Sequence, residues 1–278
     1  MTGPDRQPLR VGIAGLGTVG LPVARWLDEN AGGKAGGLVL AAVSAANEKR
    51  AEERVAEFKA PVPVVALGGL AESADVIVEC APPELFSEIA EPAIQAGRVL
   101  IPLSVTSLLE RMDLVALAAE TGARIVVPTG ALLGLDALRA AALGTIHSVT
   151  MVTRKPPRAL KKVKYVAGLG VDLDRPDAPL KLYEGSVADA AAKFPANINV
   201  AVALALAGIG PDKTRLEIWA DPTVTRNTHA IRVEADSANF EMTIGVVPTE
   251  ENPATGQLVH LSVIETLRGL VATFRVGT

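Results

Sequence analysis

A single cysteine, Cys80, stands in a chain of 278 residues. That excludes an internal disulfide framework and any zinc site built from several cysteines. Aromatic residues make up only 3% of the chain, the net charge is −4, and no basic block interrupts the sequence. Nucleic-acid binding needs clustered Lys/Arg to neutralise phosphates and usually rings for stacking, so that class is set aside. No run of about 18–20 uncharged apolar residues occurs, so no membrane-spanning segment is expected. The opening "MTGPDRQPLR" lacks the apolar core of a secretory signal, and the expected compartment is the cytoplasm. Histidine is scarce too, with three residues. No Asp/Glu/His cluster has metal-ligand spacing, and no metal is expected.

Apolar residues are abundant, at 49% against 21% charged. A substantial core follows, and the length suits two domains. Cys80 lies in "ADVIVECAPP", an apolar run with strand character, where a satisfied core thiol competes with a nucleophile.

The stretch "LRVGIAGLGTVGLPVARWLDEN" opens with a short apolar strand and passes directly into Gly15-x-Gly17-x-x-Gly20. Val19, Val23, Trp26 and Leu27 then recur at helical spacing. A strand before the glycines and an amphipathic helix after them supply the context of a dinucleotide-binding turn. Gly15 permits the tight turn, Gly17 lets backbone approach a pyrophosphate, and Gly20 lets the helix pack closely on the strand. The segment Gly15, Gly17, Thr18, Val19 and Gly20 would then offer N–H groups at a helix start to phosphate.

Strand and helix patterns alternate onward. "LVLAAVSA", "VPVVAL", "ADVIVECA", "RVLIPLS" and "ARIVVP" read as strands, and "EKRAEERVAEF", "PELFSEIAEPAIQAG" and "SLLERMDLVALAAETG" as helices. This predicts the α/β class, a Rossmann-type doubly wound parallel sheet, with ligand beyond the C-terminal strand ends. Those ends carry Ser44, Ala81, Ser104, Thr106 and Thr129. NAD-selective sites usually place Asp or Glu at the end of the second strand, where this chain has Ser44-Ala45-Ala46 with Lys49 and Arg50 beyond. Both NAD and NADP therefore remain open as cofactors.

From about residue 130 the pattern becomes mixed α+β. "IHSVTMVTRKPP" has strand character, and residues 180–208 read as two helices, the second opening near Asn197 and Asn199 as capping amides. "TRLEIWADP", "HAIRVEAD" and "NFEMTIGVVP" read as three strands of antiparallel type, followed by a helix at about 258–271. The expected division is 1–129 plus about 250–278 as the dinucleotide-binding domain and 130–249 as a substrate and dimerisation domain. His229 falls where a polar loop feeds a strand, and the stretch alone admits either a proton-transfer group or a solvated histidine.

In order along the chain, "GLGTVG", "PTGALLGLDALRAA", "VTRKPP", "YEGSVADAAAKFPANINVAVALALAG", "NTHAIRV" and "ENPATG" are similar to the L-aspartate dehydrogenase family. The resemblance covers nearly the whole chain. It implies oxidation of L-aspartate with NAD(P)+ to iminoaspartate, which yields oxaloacetate and ammonia or feeds NAD biosynthesis. It also implies a catalytic histidine at His229, cofactor contacts at Ala131 and Asn199, and a homodimer formed on the second domain's sheet. Two positions depart from the family pattern: Thr129 replaces a serine, and Gly256 stands where "NPxTS" has a hydroxyl.

An amino acid loses hydride only from its free amine, so a proton acceptor is required. A histidine titrating near neutrality suits that step, with Asn227 and Thr228 beside it to orient ring or substrate. Two substrate carboxylates call for cations or N–H donors, for which Arg154, Lys155 and Lys193 are candidates, while Thr129 is placed to touch substrate or nicotinamide. Rival readings are a related reductase of the dihydrodipicolinate-reductase or homoserine-dehydrogenase type, and a non-catalytic NAD(P)-binding protein.

Overall fold

Five apolar runs of the N-terminal half become strands β1 (Leu9–Ala14), β2 (Leu38–Ser44), β3 (Val76–Glu79), β4 (Val99–Pro102) and β5 (Arg124–Ile125). In this computed structural model, which describes residues 7–174, 176–195, 197–252 and 255–277, they pair side by side, all parallel, in the order β2-β1-β3-β4-β5. The chain moves outward from β1 to β2 and then crosses back to β3, so the strand order reverses between β1 and β3. Strands buried on both faces need no polar alternation, and all four residues of β3 are buried.

Helices α1 (Gly20–Glu29), α2 (Glu48–Val55), α3 (Leu70–Ser73), α4 (Phe86–Gln95), α5 (Val105–Glu110) and α6 (Asp113–Thr121) join these strands. Val11, Ile13 and Val78 pack with Val23 and Leu27 of α1, whereas Ile77 and Leu100 pack with Ile89 and Ile94 of α4. The sheet is thus covered on both faces, as a doubly wound Rossmann-type fold requires. Three local expectations are corrected. "VPVVAL" makes only an isolated bridge from Val64 to Val43. α2 stops at Val55, short of Phe58. The helix expected across 107–122 is broken at Arg111, whose guanidinium bonds Ser87, Glu91 and Asp113 at the joint between α5 and α6.

The second half forms α7 (Leu135–Ala141), β6 (Ile146–Lys155), α8 (Lys164–Gly168), β7 (Leu180–Ser186), α9 (Val187–Lys193), α10 (Asn199–Ala207), β8 (Arg215–Ala220), β9 (Thr228–Ala235) and β10 (Asn239–Gly245), before α11 (Leu258–Val271). The chain divides into two compact units, Met1–Gly130 with Val259–Thr278, and Ala131–Leu258. α11 returns to the first unit and buries Val263 and Leu267 beside Val11 and Leu27.

The second sheet is mixed, in the order β10-β9-β6-β8-β7. The three strands expected to run antiparallel in sequence do not adjoin throughout. β9 pairs β10, but β6 inserts between β9 and β8 and runs parallel to β8. β6 is ten residues long and buries Val149, Met151, Thr153 and Lys155 on one face. "LKLYEGS", expected to lead into a helix, is the edge strand β7. Its last residue, Ser186, caps α9 by accepting from the Asp189 N–H. The cap position of α10 is Ile198, without a side-chain bond, and Asn199 is the helix's first residue.

Candidate active site

The first unit holds an open cleft of about 670 Å³ at the strand-order reversal, bounded by Gly15 and Gly17 after β1, Ser44 at the end of β2, and Ala81 and Pro82 after β3. The three glycines do different work there. Gly15 has φ +99, and a Cβ on it would lie 2.5 Å from the Cys80 carbonyl. A Cβ on Gly20 would lie 1.8 Å from the Gly15 carbonyl, which is the price of the helix packing so close. A Cβ on Gly17 would meet nothing within 4 Å, so its backbone borders open space. The first turn of α1 carries no acidic side chain, and helix-start N–H groups have no partners within a helix. These features fit a dinucleotide's pyrophosphate. Val19 occupies the α1 cap position without a side-chain bond and packs on the core, and Thr18 beside it is half-buried.

The rim near Ser44 is formed by the start of α2. The Asn47 side chain accepts from the Arg50 N–H at 2.9 Å. Arg50 and Arg54 line the cleft with Glu48, while Lys49 is exposed and does not line it. Arg54 also donates to the Leu16 carbonyl. Sequence reasoning missed Arg54, although it lies one helical turn beyond Arg50 and so on the same face.

Below the cleft, Glu79 is fully buried. It accepts from the Ser104 hydroxyl at 2.9 Å and from the N–H groups of Ser104 and Leu103 at 2.9 and 3.1 Å. Burial pushes its carboxyl up, against the opposing pull of those donors. The Ser104 hydroxyl proton is therefore engaged by Glu79, leaving oxygen lone pairs for any ribose. The Cys80 thiol donates to the carbonyls of Ala14 and Gly15, each at 3.2 Å. Burial and the neighbouring Glu79 push it up, so it is a protonated packing group rather than a nucleophile. Thr106 is buried in α5. Thr129 is exposed, and the N–H of Gly130 after it donates to the Ser262 hydroxyl at 3.1 Å.

In the second unit, His229 is the second residue of β9 and only 3% exposed. The solvated-loop alternative is thereby removed. Its register partner is Thr153 of β6, and Thr153 Oγ1 shares a hydrogen bond with His229 Nδ1 at 3.1 Å. Side chains two apart on a strand share a face, so Lys155 lies on the side of Thr153 and His229. Lys155 is buried, and its Nζ donates to the Asn197 carbonyl at 3.1 Å. Among the described residues, no carboxylate forms an ion pair with it. Burial pushes Lys155 down to about 8. Burial, and then repulsion from Lys155, push His229 down to about 3. This desolvation works against the near-neutral titration expected of His229.

Arg154 and Lys155 do not act side by side. Arg154 lies on the opposite face, where its guanidinium stacks over Trp219 at 4.9 Å and bonds Asp221 at 2.9 Å. Asp221 is buried, and the pairing occupies the guanidinium before any substrate arrives. Lys193 is likewise engaged, paired with Asp189 and lying over the rings of Tyr165 and Tyr183. Asn227 and Thr228 are half-buried just before His229, and the Asn227 carbonyl accepts from the Val246 N–H at 2.8 Å. Ala131 is buried at the start of this unit. Gly256 bridges Pro248, and a Cβ on it would lie 1.9 Å from Val246 Cγ1, a local reason for lacking a side chain there. Pro253 and Ala254 of "NPATG", Ala196 of "FPANINV" and the first six residues lie outside the described residues. Among the described residues, no cluster of His, Cys, Asp and Glu has the form of a metal site, and no helix is long and apolar enough to cross a membrane.

A parallel sheet whose glycine turn opens on a cleft at the strand-order reversal defines the dinucleotide-binding α/β class. Comparison with known proteins narrows the class. Residues 15–128 match the family profile described as homoserine dehydrogenase, NAD binding domain, and residues 136–270 that of aspartate dehydrogenase, C-terminal. The chain is 50% identical to an L-aspartate dehydrogenase of Bradyrhizobium diazoefficiens, covering 97% of this chain and 94% of that one. It is 35% identical to one from Methanosarcina acetivorans, covering 97% and 100%. The crystal structure of aspartate dehydrogenase from Thermotoga maritima superposes with a TM-score of 0.71 at 25% identity, covering 97% and 99%. The chain belongs to the L-aspartate dehydrogenase family.

Proposed function

We propose that this protein oxidises L-aspartate to iminoaspartate with NAD+ or NADP+, the imine then hydrolysing to oxaloacetate and ammonia. The observation that carries the reading is the buried trio His229, Thr153 and Lys155 within a chain of this family. The first unit is the dinucleotide-binding domain, with Gly15 to Gly20 cradling the pyrophosphate, Ser44 and Ala81 bordering the adenosine side, and Ser104 accepting from a ribose hydroxyl. Ala131 and Asn199 complete the cofactor contacts by analogy with the family. Bound there, the nicotinamide supplies the hydride acceptor.

The second unit is the substrate domain. His229 is the acid/base that faces the reacting amine, and Thr153 fixes its ring. Lys155 offers positive charge to a substrate carboxylate, while Asn227 and Thr228 supply polar contacts. Arg154, stacked on Trp219 on the other face, supports the sheet instead. That face, half-buried along β6 and β8, is the proposed homodimer surface. Light scattering that gives a monomer at micromolar concentration would contradict it.

The absence of an acid at Ser44, together with Arg50 and Arg54 at the rim, supports use of NADP+ as well as NAD+. The test is an absorbance assay at the reduced-nicotinamide band with aspartate, homoserine, other amino acids and hydroxy acids. Aspartate should be oxidised fastest. Preference for homoserine or a hydroxy acid would reassign the substrate, and binding without turnover of any of them would make this a non-catalytic dinucleotide-binding protein.

A further inference from the structure

We propose that Lys155 holds the proton that the His229 site exchanges with substrate, and that it waits in the free protein without a counter-ion until a substrate carboxylate provides one. The inference rests on the aspartate reading and adds a residue that acts through His229.

The geometry is specific. β9 and β6 place Thr153 opposite His229, and Lys155 follows two residues later on the same face. Among the described residues, these charged and titratable groups lie near Lys155. On β9 there is His229. At the end of β8, Asp221 is taken up by Thr223 and Arg154. On β6 itself, Arg154 lies on the other face over Trp219. Among the described residues of the segment before α10, the Asn197 carbonyl, an uncharged acceptor, meets the Lys155 Nζ. Burying an ammonium without an opposite charge is costly, so the arrangement is stable mainly when Lys155 is neutral or when an anion sits beside it. Its downward shift to about 8 agrees.

Aspartate brings both missing pieces, carboxylates and an ammonium group. The substrate N–H bond breaks and its proton passes by way of His229 to the Lys155 lone pair. Lys155 becomes an ammonium beside a carboxylate, and the substrate amine regains its lone pair. That pair forms the C=N bond as hydride leaves Cα for the oxidised nicotinamide dinucleotide. Charge is conserved within the site, and no further reactant is needed. His229, a weak base next to a positive Lys155, becomes a better one once Lys155 is neutral, because the repulsion is removed.

The test uses the whole protein saturated with cofactor, with Lys155→Met and Lys155→Arg. For the wild type, kcat/KM for aspartate, which reports groups of the enzyme before aspartate binds, should rise with pH through about 8. Both variants should lose about 100-fold or more in kcat, the scale for a positioned proton acceptor, and should lack that limb. Cofactor dissociation constants should stay within about twofold, and the melting temperature of Lys155→Met should be no lower than wild type. Arginine keeps the charge but gives up no proton. If Lys155→Arg retains a third or more of wild-type kcat, Lys155 is a fixed cation only and the proposal fails. It also fails if Lys155→Met keeps the limb. Independently of turnover, NMR titration of isotopically labelled lysines in the free protein should reveal one lysine titrating near 8 that vanishes in Lys155→Met. Lysines that all titrate in the ordinary range would overturn the proposal even if aspartate is the substrate. A wild type that leaves aspartate untouched yet displays the shifted lysine would overturn only the aspartate reading.

Discussion

Thr153 Oγ1 and His229 Nδ1 meet at 3.1 Å between two buried side chains, because β6 and β9 pair them directly across the sheet. A buried imidazole can rotate about its side-chain torsions unless one nitrogen is held. The threonine hydroxyl holds it, and the paired strands hold the threonine. Thr153→Val keeps the shape and removes the hydroxyl. Aspartate oxidation should fall by about tenfold, near the 1.4 kcal/mol of one buried hydrogen bond. Thr153→Ser should restore most of it in the same kinetic assay.

Stability in acid should report on His229. An exposed histidine in the unfolded chain takes up a proton near pH 6.5, whereas the native His229 does so only near 3. Between those values the unfolded state binds one more proton, so native stability rises with pH by about 1.4 kcal/mol per unit. The contribution is whole above 6.5 and is lost as pH falls toward 3. Denaturant unfolding of His229→Gln should give a slope shallower by about that amount between pH 6 and 4. Equal slopes would mean that the native imidazole titrates as in water.

Lys155 should weaken the fold at neutral pH. Its folded value near 8 lies below the ordinary 10.5, so the unfolded chain binds the extra proton between them. Stability therefore increases as pH rises from 8 to 10.5, and below 8 the whole penalty, roughly 3 kcal/mol, remains. Lys155→Met at pH 7 should be more stable than the wild type by up to that amount in urea unfolding, with the difference shrinking by pH 10. A destabilised methionine variant would contradict the uncompensated burial of this ammonium.

Gly17 and Gly20 should separate function from folding. Gly17→Val points into open space and should keep the melting temperature within a few degrees while abolishing cofactor binding in calorimetry. Gly20→Ala forces a Cβ to within 1.8 Å of the Gly15 carbonyl and should unfold or grossly destabilise the first unit. Unchanged cofactor affinity in Gly17→Val would reduce the glycine segment to a turn.

Arg50 and Arg54 should set the preference for the phosphorylated cofactor. Each charge-assisted contact to a 2′-phosphate contributes about 1.5–3 kcal/mol, so Arg50→Ala or Arg54→Ala should weaken NADP+ by tenfold or more with a smaller effect on NAD+. A wild type that binds NAD+ over 100-fold more tightly than NADP+ would sink this assignment.

Features that depend on neighbours along the chain are legible in the residues alone. The glycine turn, the strand-helix alternation of the first unit and the last helix are local patterns, set by backbone freedom at Gly15 and by apolar spacing. The family resemblance of "NTHAIRV" singles out His229 as a candidate, and the fold buries it on β9. Even the separation of Arg154 from Lys155 is available in the sequence, since adjacent residues of a strand face opposite ways. The place of β6 between β9 and β8, which sets Thr153 against His229 and Arg154 over Trp219, emerges only from the folded sheet. Strand order is a choice among distant partners that no local period encodes. The titration of His229 and Lys155 was equally out of reach, because desolvation is a property of everything packed around a group and both are buried only once distant strands close over them.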